Sequence, residues 1–178
     1  IKINGQTVTE PGTKIDPETD TVELAPEIRQ IQTAHTCLAF HKPRGIITNC
    51  PQAGEREIKD LLPEKYKHLS AIGRLDKDSE GLILLTDDGI LAKKMLQAEP
   101  PHTRVYEVWL NAPLAPDQKQ KMEQGLPLFG RITKPLTILL ITPTHIQITM
   151  TEGKNRQIRR MLQMVGLHVT RLKRISFG

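Results

Sequence analysis

The chain has 178 residues and a formal charge of +5, with 38% hydrophobic residues and only six aromatic ones. That length suits one domain, or one domain with a small appendage, and the core must be built from Leu, Ile, Val and Met. Apolar runs recur along the chain and argue against disorder. None approaches the roughly 18–20 residues of a membrane span, so no membrane partner is expected. Cys37 and Cys50 make no disulfide framework, which points to a reducing, cytoplasmic setting.

Residues 1–24 read as short strands joined by turns. Asn4-Gly5 is a strong two-residue hairpin signal, and Pro11-Gly12 and Asp16-Pro17 mark further turns. Residues 25–35 are polar and suit a linker. CLAF, from Cys37, is a short apolar strand with Cys37 expected in the core. Lys42-Pro43-Arg44-Gly45 makes a turn, and IITN reads as a second strand. Glu57 to Leu62 suits one or two helical turns, stopped by Pro63. Leu69 to Ile72 leads into the loop GRLDKDSEG, and LILLT follows as a buried-type strand. Asp87 or Asp88 can cap a helix with Leu91, Ala92, Met95 and Leu96 on its apolar face.

VYEVWL is the next strand. A polar helix starts near Pro116 and runs to Gln124, with Gly125 as its stop. LTILLI and HIQITMT are two more strands, and Ile146, Ile148 and Met150 share one face of the second. A helix spans roughly Asn155 to Val165. Its Ile158, Met161, Leu162 and Val165 follow the i, i+3, i+4, i+7 rule. Leu167 to Arg174 resumes a strand. Strands and helices mix without regular alternation, which predicts an α+β fold with a largely antiparallel sheet.

Charge is unevenly placed. Lys154, Arg156, Arg159, Arg160, Arg171, Lys173 and Arg174 all lie between Gly153 and Gly178, with no acid among them. The other 152 residues hold 18 basic and 20 acidic groups. Such clustering is the footprint of a phosphate-rich partner. With Ile158 at the buried centre of its helix, Arg156, Arg160 and Gln163 point outward. Arg159 lies about 100° round, where a guanidinium can reach a cleft and hold a carboxylate.

The loop from Arg74 to Gly81 is the densest polar cluster, and its crowded acids fit catalysis, a metal or a solvated turn. Asp76, Asp78, Glu80, Gly81 and Asp87 fall at calcium-loop positions 1, 3, 5, 6 and 12. Asp in place of Glu at the last position, and a core strand between, argue against calcium. His35, Cys37, His41 and Cys50 lack any usual zinc spacing. No metal site is expected. Tyr106, one of two tyrosines, sits on a strand and offers a ring that can stack on a nucleobase.

Together these segments resemble a known family. GRLDKDSEGLILLTDDG is similar to the signature of RNA pseudouridine synthases of the ribosomal RNA type, and of the RsuA-like branch in particular. FHKPRGIIT, RVYEV and EGKNRQIRRM resemble three further motifs of that branch, in order. Residues 1–26 resemble the end of an S4-type RNA-binding domain, with 27–35 as linker and 36–178 as the catalytic domain. Two S4 helices and the end of the catalytic domain have no counterpart here, so the chain reads as part of a longer protein. His41 replaces the usual Asn, and Arg104-Val105 replace a frequent Lys-Glu.

The resemblance implies a pseudouridine synthase fold with flanking helices and a central cleft. It implies isomerisation of uridine to pseudouridine in ribosomal RNA by a cytoplasmic enzyme acting as a monomer, without cofactor. Asp76 matches the catalytic aspartate, Arg159 the arginine that pairs with it, and Tyr106 the tyrosine that stacks on the target base. Lys154, Arg156, Arg160, Arg171 and Lys173 would grip RNA phosphates, Arg74 would either do the same or serve the structure, and Lys42 and Arg44 are further contacts. Asp78 and Glu80 would shape the loop. Two alternatives stand beside this reading: a non-catalytic RNA-binding protein on the same scaffold, and a metal-dependent hydrolase built on the acidic loop.

Overall fold

The computed structural model describes residues 1–10, 12–24, 34–97 and 101–178. Its contacts divide the chain into residues 1–34 and 35–178. The expected linker lies largely outside the described residues.

The first unit is a three-stranded sheet of β1 (Lys2–Ile3), β2 (Gln6–Thr7) and β3 (Val22–Glu23), in the order β2-β1-β3. Asn4 and Gly5 turn β1 into β2 with φ of +50° and +80°, the left-handed pair that a two-residue hairpin needs. The Asn4 side chain ties the turn down. Its Nδ2 donates to Asp20 at 2.8 Å, and its Oδ1 accepts from the Thr21 amide at 2.8 Å.

The second unit is built on a seven-stranded sheet. It contains β4 (Cys37–Lys42), β5 (Ser70–Ile72), β6 (Glu80–Thr86), β7 (Arg104–Leu110), β10 (Thr137–Thr142), β11 (His145–Met150) and β12 (Val169–Phe177). The order is β10-β11-β7-β12-β6-β4, with β5 also paired to β6. Only β12 and β6 run parallel; the other pairs are antiparallel. A small hairpin, β8 (Pro127–Leu128) and β9 (Arg131–Ile132), stands apart and was not expected.

Among the described residues, three α-helices accompany the sheet. In α1 (Gly89–Leu96) the Asp88 carboxylate accepts from the amides of Ile90 and Leu91, both at 2.9 Å. Helix α2 (Pro116–Gln124) begins on its proline and stops at Gly125, as the sequence predicts. Helix α3 (Gln157–Met164) is shorter than expected because Asn155 and Arg156 form its entry turn. It buries Ile158, Met161 and Leu162. These meet Val108, Ile146, Ile148 and Met150 from the sheet in one aliphatic core.

Two expectations change. IITN is not a strand: Ile47 makes one isolated bridge to Glu57. Thr48 instead serves the neighbouring loop, donating its hydroxyl to the Leu75 carbonyl at 2.8 Å and accepting from the Leu75 amide at 3.0 Å. Cys37 is exposed rather than in the core. Strand alternation turns Leu38 and Phe40 inward and Cys37, Ala39 and His41 outward.

One glycine fixes where the sheet closes. At Gly81, φ is +108°. A Cβ there would lie 2.2 Å from the Arg174 carbonyl oxygen and 2.7 Å from its amide nitrogen. Only a residue without a side chain lets β6 pass β12 at this point.

Candidate active site

A cleft of about 420 Å³ opens where the 73–79 loop, β7, β12 and the entry of α3 converge. Among the described residues, Asp76 is the only acid lining it, against Arg74, Arg104, Lys154, Arg156, Arg159 and Arg174. Tyr106, Met150, Leu172 and Phe177 supply apolar wall.

The loop carrying Asp76 is held from three sides. Thr48 braces the backbone of Leu75, one residue before it. The Gly45 amide donates to the Lys77 carbonyl at 2.8 Å, and the Ser79 amide to the Asp76 carbonyl at 3.0 Å. From α3, Arg159 donates Nη2 to the Asp78 carbonyl at 3.0 Å. The Asp76 carboxylate is about a third exposed (32%) and faces the cleft. A rigid loop presenting one carboxylate is how catalytic groups are usually mounted.

The expected partner of Asp76 was Arg159, but the nearest ion pair is with Arg156. Arg156 Nη1 stands 4.0 Å from Asp76 Oδ2 and 3.1 Å from Asp78 Oδ2. It reaches both from a left-handed backbone, φ +50°, at the start of α3. Arg159 is occupied by the loop backbone, and its Nε is buried without a partner. Burial lowers its pKa from the usual arginine value; Arg156 and Arg44 push the same way, while Asp78 and Asp76 oppose.

Tyr106 is buried on β7, its backbone in register with Ile148 on one side and Arg174 on the other. Arg174 is the residue that the sequence reading counted as charge but did not place. It is 3% exposed. Its Nε donates to the Leu82 carbonyl at 2.7 Å, and its guanidinium lies 5.0 Å from the Phe177 ring centroid. Its Nη2 is buried and has no partner among the described residues. Burial lowers its pKa, and the neighbouring Tyr106 phenol favours its charged form. A buried arginine without a carboxylate is costly in a folded protein. Alternation was the available signal, because Leu172 and Arg174 share the face of β12 opposite Arg171 and Lys173.

The remaining expected contacts divide. Arg74, Lys154 and Arg156 line the cleft, and Arg44 is exposed beside it. Arg160 is exposed on α3. Arg171 and Lys173 do not line the cleft. Arg171 binds Glu80 through Nε at 2.7 Å and through Nη2, and packs over Trp109 at 4.6 Å. Lys173 lies 4.0 Å from Glu107. Both follow the alternation of β12 to the other face of the sheet.

Lys42 is also withdrawn from the surface. It is fully buried, and its ammonium donates to the carbonyls of Pro43 (3.0 Å) and Ile46 (2.5 Å). Burial pushes its pKa down to about 8, against the pull of Asp76, Asp78 and Glu80. It props the turn that holds the Asp76 loop and has no exposed surface to offer a phosphate. Among the described residues, no group of three His, Cys, Asp or Glu side chains is placed to hold a metal ion.

Six cations and one carboxylate line the same cleft, on an α+β scaffold with an aromatic wall, which makes the cleft strongly positive. Comparison with known proteins narrows the class. The family model for RNA pseudouridylate synthase matches residues 36–164, and the chain belongs to that family. It is 38% identical over 137 residues to the dual-specificity RNA pseudouridine synthase RluF of Salmonella typhi, covering 77% of this chain and 47% of that protein. It is 30% identical over 181 residues to ribosomal small subunit pseudouridine synthase A of Escherichia coli K12, covering all of this chain and 78% of that one. A crystal structure of a pseudouridylate synthase superposes with a TM-score of 0.76 at 26% identity, over 99% of this chain and 77% of the other. The chain thus spans about half the length of the RluF relatives.

Proposed function

We propose that this chain carries the catalytic centre of an enzyme that isomerises uridine to pseudouridine in ribosomal RNA. The observation that carries the proposal is Asp76: one carboxylate on a braced loop, in a cleft that six cations also line. The C1′–N1 bond of the target nucleotide breaks, the uracil turns, and C1′ bonds to C5. The C5 proton leaves and N1 takes up a proton. Nothing is oxidised or reduced, so the chemistry calls for no redox cofactor.

Asp76 acts either as the nucleophile on C1′ or as the base that takes a ribose proton. Both roles need the carboxylate ionised in a confined site. Arg156 Nη1 stands 4.0 Å from its Oδ2, and Arg159 holds the loop from behind through the Asp78 carbonyl. A base stacked in duplex is out of reach, so the nucleotide must be flipped into the cleft. Tyr106 offers its ring there. Arg159 and Arg174 both line the cleft, and Arg159 Nε and Arg174 Nη2 are buried donors without protein partners among the described residues. Arg74, Lys154 and Arg156 lie where backbone phosphates would pass, and Arg44 and Arg160 extend the basic rim.

Nucleoside chromatography of digested ribosomal RNA tests the proposal, since pseudouridine separates from uridine of equal mass. The parent chain should convert uridine, and Asp76→Asn should lose at least about a thousandfold in rate, as expected for the group that does the chemistry. Equal conversion by both would refute the assignment.

A further inference from the structure

Phe129 and Gly130 join β8 to β9 with φ of +54° and +74°. This is the left-handed pair of a two-residue hairpin turn, whose first position Asn, Asp or Gly normally fills. The chain follows that rule at its other such turn, Asn4-Gly5. A bulky side chain in this conformation is strained. Nor does burial compensate, because Phe129 is 56% exposed.

The ring has one neighbour of note. The Arg160 guanidinium lies 4.9 Å from its centroid. Arg160 forms no ion pair with an acid among the described residues. Its Nη2 donates to Asn155 Oδ1 at 3.3 Å, and Asn155 lines the cleft. A continuous path therefore runs from the cleft wall through Asn155 and Arg160 to an exposed aromatic ring.

We propose that Phe129 and Arg160 form a stacking platform for an unpaired nucleobase flanking the target nucleotide, a reading that rests on the proposed RNA substrate. The base stacks on the open face of the ring, and Arg160 answers the adjoining phosphate. A π-face accepts any base, so the platform adds affinity and positions the strand without reading sequence. RNA is favoured over a protein partner because the ring is coupled to a guanidinium that meets no acid among the described residues, and the pair adjoins the basic cleft. The strained turn is kept for this purpose, in the way that backbone strain gathers at ligand-binding positions.

The test uses filter binding to unmodified ribosomal RNA transcripts beside thermal melting. Phe129→Asn puts the favoured residue in the turn, so it should melt at or above the parent's temperature while binding RNA about 5- to 100-fold more weakly. Phe129→Tyr should bind like the parent. Arg160→Gln should flatten the slope of log affinity against log salt by about one, and Phe129→Asn should leave that slope unchanged. RNA affinity of Phe129→Asn equal to the parent's, with the parent active, would overturn the platform alone. A parent chain that neither binds the transcripts nor converts uridine would overturn the RNA reading itself, and the platform with it.

Discussion

Gly81→Ala tests the joint between β6 and β12 on which the cleft depends. The added Cβ would sit 2.2 Å from the Arg174 carbonyl oxygen and 2.7 Å from its nitrogen, where real contacts essentially never fall below 3.0 Å. One strand must retreat by close to 1 Å, and neither atom belongs to a flexible side chain. The retreat loosens the parallel pairs Lys173–Glu80 and Arg174–Gly81. It also pulls Arg174 Nε from the Leu82 carbonyl. Forcing a φ of +108° on an L-residue costs about 1–3 kcal/mol. Each weakened hydrogen bond adds about 1 kcal/mol. The expected loss of stability is about 3–5 kcal/mol, measured by urea unfolding, with a larger proportional loss of RNA isomerisation because Asp76 and Arg174 are displaced together. A loss below 1 kcal/mol would show that the close approach is not as described.

Other consequences follow from buried charge. Lys42 titrates near 8 in the fold against an ordinary 10.5. Between those values the unfolded chain holds a proton that the folded chain has lost, so this residue's contribution to stability rises with pH across that window. Relative to Lys42→Met, the parent should gain up to about 3 kcal/mol in unfolding free energy from pH 7.5 to 10.5; an unchanged difference would contradict the buried ammonium. Arg174→Leu should lower kcat/KM for RNA by about 10- to 100-fold, the worth of a charge-assisted hydrogen bond. Arg174→Lys should fail to restore it, since an ammonium cannot both reach the Leu82 carbonyl and fill the guanidinium's place. Recovery by lysine would mean that only the charge matters. Asp87, held below the usual carboxylate range by the Thr36 amide and then by His35, contributes stability above the unfolded pKa that is lost as pH falls through its folded value. Unfolding of Asp87→Asn should therefore be less acid-sensitive than that of the parent, and an identical acid profile would count against the Thr36 contact.

What was legible in the sequence was local. Asn4-Gly5 announced a hairpin, Asp87 or Asp88 a helix cap that falls to Asp88, and Pro116 with Gly125 the two ends of α2, because each residue type solves a backbone problem where it stands. The alternation of Ile146, Ile148 and Met150 located a buried face for the same reason. What failed depended on partners distant in the chain. Ile46 to Asn49 has strand composition, but Thr48 is committed to a loop 27 residues away. Lys42 reads as the start of a surface turn, but it ends β4 and is fully buried there. Arg171 and Lys173 were grouped with the cleft by charge, although Leu172 between them already indicated that they face away. Arg174 is on the cleft side by that same alternation, but in the sequence it is one more cation of a basic segment. The hairpin at 127–132 escaped because its strands have two residues each and its turn carries Phe rather than Asn or Asp.

The central claim is that Asp76 works on a uridine. Tritium release from ribosomal RNA labelled at uridine C5 tests it most directly, because forming the C1′–C5 bond must displace that hydrogen. With chelator present and no added metal, the parent chain should release tritium and Asp76→Asn should release none above background. Release by both proteins, or release by the parent only when metal is supplied, would contradict the account.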